Sequence, residues 1–149
     1  MASLAMSRAE REAFLAAVRV GVISLADEGR GPLTVPIWYG YEPGGELWIV
    51  TDRDSRKGAL LLKADRFSLC AQTETPPYQY VSVEGPIAGI ERADLERHTR
   101  ALAHRYLGVA GGDAYIKASG AAEARDGSIV VRMRPERWLS VDYRKAYGG

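Results

Sequence analysis

LTVPIWYGYEPGGELWIVT, residues 33–51, decides the architecture of this chain. Leu33, Val35, Ile37 and Tyr39 alternate with Thr34, Pro36, Trp38 and Gly40, the period of a strand with one face toward a core. EPGG at 42–45 opens a turn, and ELWIVT follows as the next strand-like run. Two such runs joined by a tight turn predict an antiparallel pair. Pro36 has no amide proton to give to a ladder, so its strand is expected to be an edge, or bulged or open at that point.

Working outward, the same alternation appears upstream in VRVGVISLAD, residues 18–27, and downstream in RFSLCAQT, residues 66–73. YQYVSVEGPIAGI, residues 78–90, predicts a long fifth strand kinked near Gly85 and Pro86. SIVVRMRPERWLSVDY, residues 128–143, supplies the last one or two strands, interrupted at Pro135. Helical signals are fewer. Ser7 and Glu10 have the spacing of a capping box, ahead of Phe14, Leu15 and Val18, and predict a helix over about residues 8–18. SRKGALLLKAD, residues 55–65, predicts a short one. Leu95, Leu102 and Tyr106 share a face of a third, which Gly108 ends, and a further short helix is expected from Asp113 to about Ser119.

About six strands with hairpin-like spacing and no alternation of strand with helix predict a mainly β fold. It should form a closed or nearly closed antiparallel barrel with a few flanking helices, one domain over residues 1–149. A ligand of such a barrel needs a groove outside it or a subunit interface.

Composition narrows the function. Twenty Lys and Arg against nineteen Asp and Glu give a formal charge of +1, so no global field favours nucleic acid or an anionic membrane. Cys70 is the single cysteine, which excludes an internal disulfide or a Cys cluster for zinc, and inside a strand it reads as a small core residue. MASLAMSRAEREAF becomes charged within a few residues, unlike a secretory signal, and predicts a soluble, cytoplasmic protein. His98 and His104 lie six apart and out of phase on their helix, so they cannot chelate one ion from it, and no metal site is expected. Ser55 lacks a nucleophile elbow, and the glycine pairs match neither a P-loop nor a dinucleotide fingerprint.

One segment stands out. TDRDSRKGALLLKADRF, residues 51–67, gathers Arg53, Arg56, Lys57, Lys63 and Arg66, diluted by Asp52, Asp54 and Asp65. A solvated basic face accounts for this cluster as well as an anion site does. The anion reading joins Thr51, Ser55 and the first free N–H groups of the short helix to the charges of Arg56 and Lys57.

WIVTDRDSRKGALLLKADRFSLC followed by YQYVSVEGPI resembles the pyridoxamine 5'-phosphate oxidase-like split β-barrel superfamily, in its order of strand, T-x-x-x-S-x-K, short helix and strand. The preceding PIWYGYEPGGELWIVT resembles the relatives that use the deazaflavin coenzyme F420, and the match in order and spacing runs from about Val20 to Ile90. The resemblance implies a homodimer with two cofactor sites at the subunit interface. Ser55 and Lys57 would hold the cofactor phosphate with Arg56 beside them, Thr51 would lie near the phosphate or ring, and Gln79 would reach the polar edge of the ring. Pro36 and Trp38 would wall the ring, and Trp138 matches an aromatic position of the last strand loosely.

The chain departs from the true oxidase, which carries an Arg-rich strand before the phosphate segment and an R-L-H-D-R type terminal motif. PIWYGYEP and WLSVDYRK stand there instead, which disfavours pyridoxamine phosphate oxidation. The reading that results is a reductase in which reduced coenzyme F420 gives hydride to a conjugated organic acceptor, bilins among them. Trp38, Tyr39, Tyr78 and Tyr80 are candidates to face that acceptor, and Arg53, Lys63 and Arg66 to meet the carboxylates of the cofactor tail. The alternatives are an FMN-dependent oxidase or reductase of the same fold and a non-catalytic haem- or flavin-binding protein.

Overall fold

A computed structural model describes residues 3–121 and 127–147. Helix α1 (Arg8–Ala16) is capped as its sequence predicts: the Glu10 amide donates to Ser7 Oγ at 3.1 Å and the Ser7 amide to Glu10 Oε1 at 2.8 Å. Lys145 also donates to Glu10, and together these bonds hold the carboxyl down at about 2. The helix stops before Val18, which is 57% exposed and does not continue the buried face of Phe14 and Leu15.

Strands β1 (Gly21–Leu25), β2 (Leu33–Ile37), β3 (Leu47–Asp52), β4 (Arg66–Gln72), β5 (Gln79–Arg92), β6 (Ser128–Met133) and β7 (Arg137–Asp142) form one curled antiparallel sheet. Its path is β2-β1-β4-β5-β6-β3, with β7 also paired to β5. The fourteen-residue β5 belongs to both halves. Its first part pairs with β4 and β7, and its second part with β6 after a register shift between Ile87 and Gly89. Gly85 marks the crossing, because a Cβ there would lie 1.8 Å from the Arg134 carbonyl oxygen. Pro135 separates β6 from β7, so the last segment gives two strands on different parts of β5.

The pair expected over residues 33–51 is almost absent. Among the described residues β2 ends the path, paired with β1 alone, and the segment after it meets β3 through one bridge, in which Gly40 and Trp48 exchange hydrogen bonds at 2.8 and 3.0 Å. Pro36 thus sits on an edge, and the barrel is split beside it. The core lies inside the curl: Ile23, Leu25, Leu47, Ile49, Leu69 and Val83 are at most 1% exposed.

Helix α2 (Arg56–Lys63) joins β3 to β4 and buries Leu61, with Leu60 partly buried and Leu62 in solvent. A π-helical turn (Leu95–Arg100) leads into α3 (Ala101–Ser119), which bends at Gly108, where φ is 76°. Gly108 does end the first helical segment, and the second starts at once rather than near Asp113. Asp113 returns to meet His104 Nε2 at 2.7 Å and Arg100 Nη1 at 2.8 Å. Among the described residues no helix is long and apolar enough to cross a membrane.

Candidate functional site

The segment after β3 folds around Ser55, the N-cap of α2. Its hydroxyl donates to the Asp52 carbonyl at 2.6 Å and accepts from the Gly58 amide at 3.0 Å, while Thr51 Oγ1 lies 3.3 Å away. Gly58 is required here: a Cβ would fall 2.1 Å from the Asp52 carbonyl oxygen. The tight turn leaves the amides of Arg56 and Lys57 without a partner among the described residues, as first-turn donors of a helix are.

Lys57 is half-buried and its ammonium meets no carboxylate among the described residues; burial alone lowers its pKa. Two free amides, a Thr51 side chain only 7% exposed, and an unneutralised cation thus belong to one helix start. These donors fit a phosphate, which takes several directional bonds and a counter-charge. Ser55 fits less directly than the spacing predicts, because both its contacts are internal and its work is to hold the turn.

Arg56 does not join this anchor. Its guanidinium is ion-paired with Asp27, just beyond β1, and is 52% exposed. Arg66 is likewise engaged by Glu84 and Glu136, at 3.2 and 3.0 Å. Arg53 and Lys63 are exposed.

Gln79 and Pro36 lie elsewhere, in a groove of about 940 Å³ lined also by Val22, Cys70, Gln72 and Arg144. The groove and the anchor are at opposite ends of β1: Val22 lies near its start, and Asp27 beyond its end holds Arg56 at the first turn of α2. Thr73 pins the Gln79 backbone through bonds of 2.9 Å, leaving the Gln79 side-chain amide half-buried and unpartnered among the described residues. Cys70 points out into this groove, not into the core, because Phe67, Leu69 and Ala71 take the inward positions of β4. Burial pushes its thiol up.

The aromatic candidates fall in different surroundings. Trp38 is stacked on Tyr106 at 5.0 Å and flanked by Tyr115 at 5.3 Å, under α3, where it shares a small cavity with Val50, the neighbour of Thr51. Tyr39 is fully buried and donates to the Leu15 carbonyl at 2.7 Å, and burial pushes its phenol up, so it faces no acceptor. Tyr78 and Tyr80 remain at the groove end of β5. His98 accepts from the Asp94 amide and packs edge-on against Trp48. Among the described residues no group of three or more His, Cys, Asp or Glu side chains is placed to hold a metal ion.

The chain matches the family described as pyridoxamine 5'-phosphate oxidase over residues 7–142. It belongs to this family. The conserved hypothetical protein Rv2991 of Mycobacterium tuberculosis has a similar structure, with a TM-score of 0.78 and 25% identity over 100% of this chain and 92% of that one. An F420 reductase shares the fold at a TM-score of 0.59 and 15% identity, covering 86% of this chain and 94% of that one. A FAD-binding protein of Mesorhizobium loti does so at 0.61 and 18%, covering 91% and 94%. No curated protein sequence matches the chain.

Proposed function

We propose that this family member is an oxidoreductase that binds reduced coenzyme F420 in two sites, each shared between two copies of the chain. The observation that carries the reading is Lys57, a half-buried ammonium without a counter-charge beside two free amides. A desolvated cation is unfavourable alone and becomes favourable when an anion meets it. The cofactor, when bound, supplies the hydride for a conjugated organic acceptor, and bilins are the first acceptors to assay. Lys57, Thr51 and the α2 amides hold its phosphate, and Ser55 keeps the turn that aims them.

One chain keeps Gln79 and Pro36 at the far end of β1 from that anchor, so a second copy is needed to bring the two together. The outer face of the sheet supports such a pairing. Pro36, Val22, Cys70, Ser82 and Leu139 are successive partners across five strands, and Leu139 and Val22 are 62% and 36% exposed. An open apolar row of this kind marks a protein contact. A cytoplasmic dimer is the form proposed.

FMN is the second reading, favoured by one observation: Arg56 and Arg66 are already paired, which leaves Arg53 and Lys63 for the acidic F420 tail. Titrating the purified protein with F420 and with FMN tests the proposal. F420 is expected to bind at micromolar concentration and Lys57→Ala to weaken it about ten- to a hundredfold. Failure of both cofactors to bind overturns the redox reading. Undiminished binding by Lys57→Ala overturns the anchor, and a tight complex that reduces no acceptor makes the protein a carrier. Sedimentation of the wild type and Leu139→Asp tests the pairing, with the variant expected as a monomer.

A further inference from the structure

A second cleft, of about 570 Å³, opens between α1, the β2–β3 turn and the β6–β7 turn. Glu46 on its wall is five residues along β3 from Thr51, about 17 Å at the strand rise, so the cleft is separate from the anchor. Its volume is that of small-molecule sites.

The charges of the cleft do not cancel locally. Each of its three carboxylates is already paired: Glu12 with Arg8 at 3.3 Å, Glu46 with Arg132 at 3.4 Å and Glu136 with Arg66 at 3.0 Å. Arg11 and Arg134, also on its wall, form no salt bridge among the described residues, although Arg134 acts on the Glu136 carboxyl from a distance. Arg11 lies 4.7 Å over the Trp138 ring, and its buried Nε has no acceptor. The indole therefore orients a guanidinium whose charge nothing else neutralises. Tyr41, tilted at 42° to Trp138 with centroids 6.2 Å apart, is only 4% exposed and backs the indole from the core.

We infer that this cleft binds a small aromatic carboxylate. Two guanidiniums outside any salt bridge among the described residues select an anion whose planar carboxylate matches their fork, and the Trp138 indole selects a flat body beside it. Neither contact needs the cofactor or a second copy of the chain.

Calorimetry with the full chain and 2-naphthoate, against neutral 2-naphthamide, tests the inference. Naphthoate is expected to bind below about 1 mM, the amide at least tenfold more weakly, and Arg134→Gln to weaken naphthoate about tenfold. Lys57→Ala should leave naphthoate binding unchanged. In NMR spectra naphthoate should shift the indole N–H signal of Trp138 and spare those of Trp38 and Trp48, a readout that needs no variant. Absence of binding, equal binding of the amide, or shifts at another tryptophan overturns the inference. So does loss of binding in Lys57→Ala with retention in Arg134→Gln, which would place the anion at the phosphate anchor.

Discussion

The anchor at α2 and the groove around Gln79 are built in opposite ways. Thr51, Ser55, Lys57 and Gly58 come from one stretch of chain, and a single N-cap turn fixes them relative to each other. Pro36, Val22, Cys70 and Gln79 come from four strands, and only sheet register brings them together. The difference teaches that the first site should respond to local backbone changes and the second to changes in strand pairing or in association between chains.

The largest effect that would break this contrast is Gly58→Ala. The added carbon meets a backbone oxygen at 2.1 Å, so the turn must open; chemical denaturation should show a loss of about 2 to 3 kcal/mol, and phosphate affinity should fall with it. Gln79→Leu comes next. It should weaken the whole cofactor about fivefold through one neutral hydrogen bond, yet leave inorganic phosphate binding unchanged. Equal losses for both ligands would merge the two regions.

A smaller and sharper effect is in pH. Phosphate binding needs Lys57 charged, and burial lowers its pKa below that of an ordinary lysine. Above the second ionisation of phosphate, affinity should be flat and then fall as pH rises through that lowered value, earlier than for an exposed lysine. Lys57→Arg should remove the fall, as seen by titrating phosphate at a series of pH values. The smallest effect is Arg56→Gln. Its pair with Asp27 is exposed and lies off the anchor, so stability should change by less than about 1 kcal/mol and phosphate affinity hardly at all.

Much of the anchor could be read in the sequence because everything it needs lies within eight residues, at the spacing of a helix start. Arg56 was beyond such a reading, since its partner Asp27 is nearby only through the packing of α2 beside the end of β1. Tyr39 shows a signal that alternation did carry: it shares parity with Leu33, Val35 and Ile37, the inward face, and the structure buries it there. Trp38 has outward parity, which an exposed wall would also have; that α3 covers it follows from the bend at Gly108 and contacts some seventy residues away in sequence. Cys70 on β4 and Val18 beyond α1 look apolar enough for the core, but strand parity and the early helix stop put both in the groove. The seven-stranded split barrel was legible as a class, whereas the near absence of β2–β3 pairing rests on β2 pairing with β1 instead.

The sheet path also bears on the order in which the protein matures. β3, which carries Thr51 into the anchor, has one ladder partner among the described residues, β6, and the two are separated by about half of the chain. β1, β2, β4 and the first part of β5 can pair while a nascent chain is still short of residue 128, but β3 stays without its neighbour until β6 emerges. Loop closure across that separation is slow relative to local pairing. The most contiguous site in the sequence is therefore among the last to be secured during synthesis, and a chain released early would carry the anchor motif without a sheet to hold it.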